Sequence, residues 1–170
     1  VADQIPTSWG GNKKEEVPGE YTTFTIGESG TLNIANVSSG SITELYIDNV
    51  SQTLPTGTSY NSTTAYTVEN GQKIKIKGNF SLYKTILPIS DVILQDDLAN
   101  CSRMFDGCTN LTKAPEIPNH VYDCTNMFGG CTNLTQAPVI PNSVNNCTNM
   151  FSGCTNLTQA PVILNSVRYC

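Results

Sequence analysis

Between Cys101 and Cys170 the sequence repeats itself at an unchanging interval of 23 residues. The octets Cys101-Ser-Arg-Met-Phe-Asp-Gly-Cys108, Cys124-Thr-Asn-Met-Phe-Gly-Gly-Cys131 and Cys147-Thr-Asn-Met-Phe-Ser-Gly-Cys154 recur in register, and Cys170 opens a fourth copy. Each octet runs on into Thr-Asn-Leu-Thr, then Ala-Pro, then Ile, Asn and Val. A unit of this length cannot bury its own apolar side, so equivalent positions must stack on one another and form columns. The columns are Leu111, Leu134 and Leu157; Ala114, Ala137 and Ala160; Ile117, Ile140 and Ile163; and Val121, Val144 and Val167. Met104, Met127 and Met150, with Phe105, Phe128 and Phe151, fill the far side, and Cys108, Cys131 and Cys154 join the same core.

An interval of roughly 20 to 29 residues with leucine and cysteine at set offsets predicts a leucine-rich-repeat solenoid. Period-two apolar spacing makes Leu-Thr-x-Ala-Pro-x-Ile the expected strand of each coil, shortened by its proline. Cys-x-x-Met-Phe-x-Gly-Cys is the expected return segment, one or two turns of helix ended by glycine. The predicted fold is therefore mainly β with short helical segments.

Met-Phe-x-Gly-Cys-Thr-Asn-Leu-Thr-x-Ala-Pro-x-Ile-Pro resembles the repeat of BspA-like, treponemal-type leucine-rich-repeat surface proteins of gut Bacteroides and relatives. The motif covers about 70 of the 170 residues, with Met-Phe where the best-known version has Ala-Phe. The resemblance implies an exported cell-surface protein with an adhesion or binding role and no enzymatic activity. It supplies no ligand.

Composition narrows the function from another side. Charged residues make up only 14%, and the net charge is −5 with no basic stripe, so a nucleic-acid partner is not expected. No apolar run approaches the length of a membrane span. Val1 to Gly11 lacks the basic start and apolar stretch of an export leader, so an extracellular or cell-surface protein would have lost its leader from this chain.

Residues 1–19 read as a flexible leader, with Trp9 either a stacking platform or, more simply, tucked onto the next domain. Residues 20–80 read as a small antiparallel β-sandwich of about five strands. Its strand candidates are Tyr21–Ile26, Thr31–Ile34, Ile42–Ile47 and Lys73–Lys77, separated by turns at Gly27–Gly30, Ser38–Gly40 and Glu69–Gly71. Lys73, Lys75 and Lys77 share one face of the last strand, where they would guard an outer edge or hold an acidic partner. Residues 81–170 form the predicted solenoid, with 81–100 as its N-terminal capping coil.

The seven cysteines fall into a column of four and a column of three. Two in one helical octet would lie about 10 Å apart, too far to bridge, whereas neighbours in adjacent coils lie about 5 Å apart. Buried thiols stacked in a ladder, or bridges between coils, both satisfy this spacing, and an odd number leaves one unpaired. With His120 the only histidine, no four-ligand zinc set forms. His120 and Asp123 have no activated serine motif to serve, so no catalytic, cofactor-binding or metal-ligating residue is expected.

From Cys124 to Val167 there is not one charged residue. Thr112, Thr135, Thr158, Gln136 and Gln159 are thus the candidate binding face, offered to a protein or glycan. The alternative is a structural spacer or stalk. Because no polar cap follows Cys170, either more repeats follow or two such ends meet in an end-to-end homodimer.

Overall fold

The computed structural model describes residues 17–38, 41–163 and 166–170. The part of the expected leader before residue 17, Trp9 included, lies outside them, as does the end of the Ser38–Gly40 turn. Within them are eight strands: β1 (Thr22–Ile26), β2 (Gly30–Asn36), β3 (Ile42–Ile47), β4 (Val50–Ser51), β5 (Thr64–Val68), β6 (Lys73–Gly78), β7 (Phe80–Ser81) and β8 (Ile89–Ile93). They form two antiparallel sheets, one of five strands in the order β4-β3-β6-β1-β8 and one of three in the order β5-β2-β7.

Alternation decides which side of each strand is buried. In β1, Thr22, Phe24 and Ile26 are buried while Thr23 and Thr25 are half-buried. In β6, Ile74 and Ile76 are fully buried against Phe24, Leu32, Ile34 and Leu45 in one continuous core. Each such side chain contributes about 1.5–3 kcal/mol by leaving water. Buried polar groups close the core: the Asn36 side chain donates to the Pro55 and Gly57 carbonyls at 2.7 and 3.0 Å and accepts from the Ile42 N–H at 3.0 Å.

The lysine strand is not an outer strand. β6 lies between β3 and β1, so Lys73, Lys75 and Lys77 guard no edge. Lys77 Nζ pairs with Glu20 at 2.7 Å and with Glu44 at 3.6 Å, and Lys75 Nζ donates to Asn49 at 2.6 Å. The Tyr21 and Tyr46 hydroxyls both donate to Glu44 at 2.8 Å, bonds that hold its carboxyl below the usual range.

β3 and β6 meet at Gly78, whose φ is 105°. A Cβ there would overlap the Ser41 carbonyl oxygen. Gly78→Ala should therefore lower stability by more than about 1 kcal/mol in a urea titration, whereas Gly71→Ala, with φ of 84° but open space around it, carries only the backbone strain.

The leucine-rich-repeat solenoid with helical return segments does not form. Among the described residues there is no helix, every strand lies between Thr22 and Ile93, and the repeats contribute none. They are joined by single parallel bridges, Asn100 with Asp123, Asp123 with Asn146, and Asn146 with Tyr169. The Leu-Thr-x-Ala-Pro-x-Ile segment is not a strand either, since Pro115 and Pro118 lack the N–H a ladder needs.

The octets fail to be helical for a backbone reason. Arg103, Asn126 and Asn149 have φ of 59°, 52° and 55°, and Gly107, Gly130 and Gly153 lie at 77°, 70° and 76°. Left-handed residues twice per octet break an α-helix into successive turns. The amides then alternate. Met104, Asp106 and Cys108 donate three residues back, at 3.2, 3.3 and 3.0 Å, while Cys101, Arg103, Phe105 and Gly107 donate to the next repeat at 2.9, 2.9, 2.9 and 2.6 Å. In this way the repeats make a stack of turns.

The stack begins on the sheets. Leu82 and Lys84 donate to the Met104 and Asp106 carbonyls at 2.7 and 2.8 Å, and Leu82, Leu98, Met104 and Phe105 belong to the same core as the strands. The boundary expected at 80/81 falls inside β7, and β8 arises from residues read as a capping coil.

Candidate functional site

The repeat columns set what the surface shows. Leu111, Leu134, Phe105, Phe128, Cys108 and Cys131 are buried, and Leu157, Phe151 and Cys154 are half-buried. The phenylalanine rings are 5.6 and 5.7 Å apart, with interplanar angles of 2° and 12°. With the apolar side turned inward, Thr112, Thr135, Gln136, Thr158 and Gln159 are all exposed. The Thr158 amide and hydroxyl both donate to the Thr135 carbonyl, at 3.2 and 3.1 Å, so the second and third repeats are bonded to each other along this face. Beside it Val139 and Val162 stand 87% and 77% exposed, at the position Glu116 holds in the first repeat.

Two polar ladders run along the stack. Asn110 Nδ2 donates to the Ile86 carbonyl at 2.6 Å, Asn133 Nδ2 to Asn110 Oδ1 at 3.1 Å, and Asn156 Nδ2 to Asn133 Oδ1 at 3.5 Å. The second ladder escaped sequence reasoning: Asn100, Asp123 and Asn146 accept from the amides of Ser102, Thr125 and Thr148 at 2.7, 2.9 and 3.1 Å. An Asx residue two positions before Ser or Thr at each 23-residue step was the signal for that turn.

All seven cysteines are free thiols. Cys108, Cys131 and Cys154 donate Sγ–H to the carbonyls of Leu82, Phe105 and Phe128, at 3.2, 3.1 and 3.0 Å. Burial pushes the Cys101 and Cys131 thiols up to about 12, with the Asp123 charge adding at Cys101 and the Cys154 thiol adding at Cys131. Cys147 is raised to about 12 by burial and by its bond to Cys170. A thiol held this far from ionisation is a poor nucleophile at neutral pH.

His120 is exposed at a groove of about 920 Å³. One wall is β8, running on to Leu94 and Asp96; the other is Thr112 to His120. Asp123 is engaged elsewhere, its carboxylate accepting from the Thr125 amide and hydroxyl at 2.9 and 2.7 Å. Among the described residues no group of three or more His, Cys, Asp or Glu side chains is placed to hold a metal ion.

No protein-family model, no curated protein and no solved structure matches this chain. Among the described residues no helix is long and apolar enough to cross a membrane.

Proposed function

We propose that this protein is a non-enzymatic binding module of the cell surface that offers its exposed Thr and Gln column to a protein or glycan. The observation that carries this reading is the face itself. Thr112, Thr135, Thr158, Gln136 and Gln159 are exposed in register, and the chain from Cys124 to Val167 has no charge. Side-chain hydroxyls and amides with neighbouring exposed valines suit contact with neutral polar ligands, and a clustered apolar patch on a surface marks a contact site. The resemblance of the repeat to BspA-like surface proteins supports an extracellular or cell-surface location.

A spacer role is the second reading. It is favoured by the run of amide bonds from each octet to the next, which ties the stack together along its length.

A glycan and host-protein array separates the two. The expected result is at least one specific ligand, whose binding falls about tenfold or more in a Thr135→Glu, Gln136→Glu, Thr158→Glu, Gln159→Glu variant with unchanged thermal stability. Silence across a broad array supports the spacer.

A further inference from the structure

The groove beside β8 combines an open strand edge with unbalanced charge. β8 is the last strand of the five-stranded sheet and pairs only with β1. Among the described residues no backbone hydrogen bond joins it to residues 112–120 across the groove. Among the described residues, the outward main-chain donors and acceptors of Ile89–Ile93 therefore have no partner across the groove. Pro115 and Pro118 remove two of the N–H donors that the opposite wall could offer them. The gap persists although the two walls sit one repeat length apart in sequence, the spacing at which Thr158 bonds Thr135 farther along the stack.

The charge around this gap points to one kind of occupant. Asp91, Asp96 and Glu116 line it, and among the described residues none of them is in an ion pair. Lys113 is the one lysine in the lining, so three carboxylates stand against one ammonium. Exposed Ile93 adds an apolar foothold, 62% in solvent. About 920 Å³ lies within the range of clefts that hold ligands.

We propose that this groove binds an extended basic peptide, which adds to the outer edge of β8 as a further strand. Main-chain bonds to β8 supply the affinity, and lysine or arginine side chains reaching Asp91, Asp96 and Glu116 supply the choice of partner. A second copy of this chain is the wrong occupant on the same grounds. The chain has a net charge of −5, and full antiparallel overlap of two β8 strands would set Asp91 directly opposite Asp91. The groove meets the Thr and Gln face only at Thr112, and its binding does not depend on that face having a ligand.

The test uses a fluorescent nine-residue peptide of alternating Lys and Thr, its Glu and Thr counterpart, and a Lys and Thr peptide N-methylated at alternate residues, which keeps the charge and loses strand donors. The lysine peptide should bind about tenfold or more tightly than either of the others and slow hydrogen exchange at the β8 amides. Asp91→Asn with Glu116→Gln should weaken it about tenfold, and the four-glutamate variant of the Thr and Gln face should retain slowed exchange at β8. Equal binding of the lysine and glutamate peptides, or of the N-methylated peptide, would overturn the proposal. So would protection outside β8, or a concentration-dependent dimer whose formation the lysine peptide leaves unchanged.

Discussion

Phe128→Ala lowers the stability of the folded chain by about 3–5 kcal/mol, the range for a large aromatic removed from a packed core. Phe128 is fully buried and stacked between Phe105 and Phe151, so truncation leaves a cavity open to both neighbouring repeats. Its backbone is committed as well: its N–H donates to the Met150 carbonyl at 3.0 Å and its carbonyl accepts from the Cys154 thiol at 3.0 Å. The surroundings thus cannot collapse inward without giving up bonds. Phe151→Ala removes the same atoms from a half-buried ring with a stacking partner on one side, and should cost markedly less. Urea titrations of the two variants against the parent measure the difference. A loss for Phe128→Ala no greater than for Phe151→Ala would refute stacked burial of this column.

The second large effect is alkaline unfolding. An unfolded chain ionises its thiols near pH 8.5, whereas the folded chain keeps Cys101, Cys131 and Cys147 protonated until about 12. Burial raises Cys108, Cys124 and Cys154 in the same direction. A group whose folded pKa is raised contributes stability that is complete below its unfolded pKa and is lost as pH climbs through the folded one. For a thiol the loss runs from about pH 8.5 to 12, at up to about 1.4 kcal/mol per pH unit. Tyr21, raised by burial and by its bond to Glu44, adds to the loss only above about pH 10. The urea midpoint should hold steady from pH 7 to 8 and fall steeply from 9 to 10, and Cys131→Ala should flatten that fall. Alkylation agrees in sign: all seven thiols label in denaturant, whereas in the native state exposed Cys170 labels ahead of the buried ones. A midpoint flat to pH 10, or fewer than seven labels in denaturant, would rule the thiol ladder out.

What the sequence disclosed depended on how local the deciding physics was. Burial of Leu134, Phe128 and Cys131 could be read from the repeat because identical neighbours leave each column one inward direction. β1, β3 and β6 were legible from alternation, while β4 and β7, two residues each, had too few residues to show a period. β8 was missed because Pro88 and the bulge near Asp91, whose φ is 52°, interrupt its alternation, and its partner β1 lies far away in the chain. The place of β6 in the middle of its sheet could not be seen either, since lysines alternating with isoleucines look the same on an edge strand and a central one. The non-helical octets turn on Arg103, Asn126 and Asn149 adopting positive φ. Asparagine tolerates that region and arginine follows only because the stacked turns demand it.

Of the groove, Thr112, Ala114, Ile117 and His120 were singled out from sequence, none of them as part of a cleft. Asp91, Asp96 and Glu116 line one groove because β8 runs across from the first repeat, one repeat length away in sequence, in a stretch where the cysteine and Met-Phe motif does not recur to mark that spacing.

Alternating amides also fix the size of the steps by which this region can change. Each octet hands its odd-numbered or even-numbered amides to the next at a constant offset, so one added residue would turn donors toward the solvent and leave carbonyls unmatched. A whole added 23-residue segment would meet the same acceptors as its predecessor and carry one more Thr-Gln pair. Length in this part of the molecule is therefore counted in units, and a ligand long enough to span several would gain from each added unit through effective concentration, with no new kind of contact.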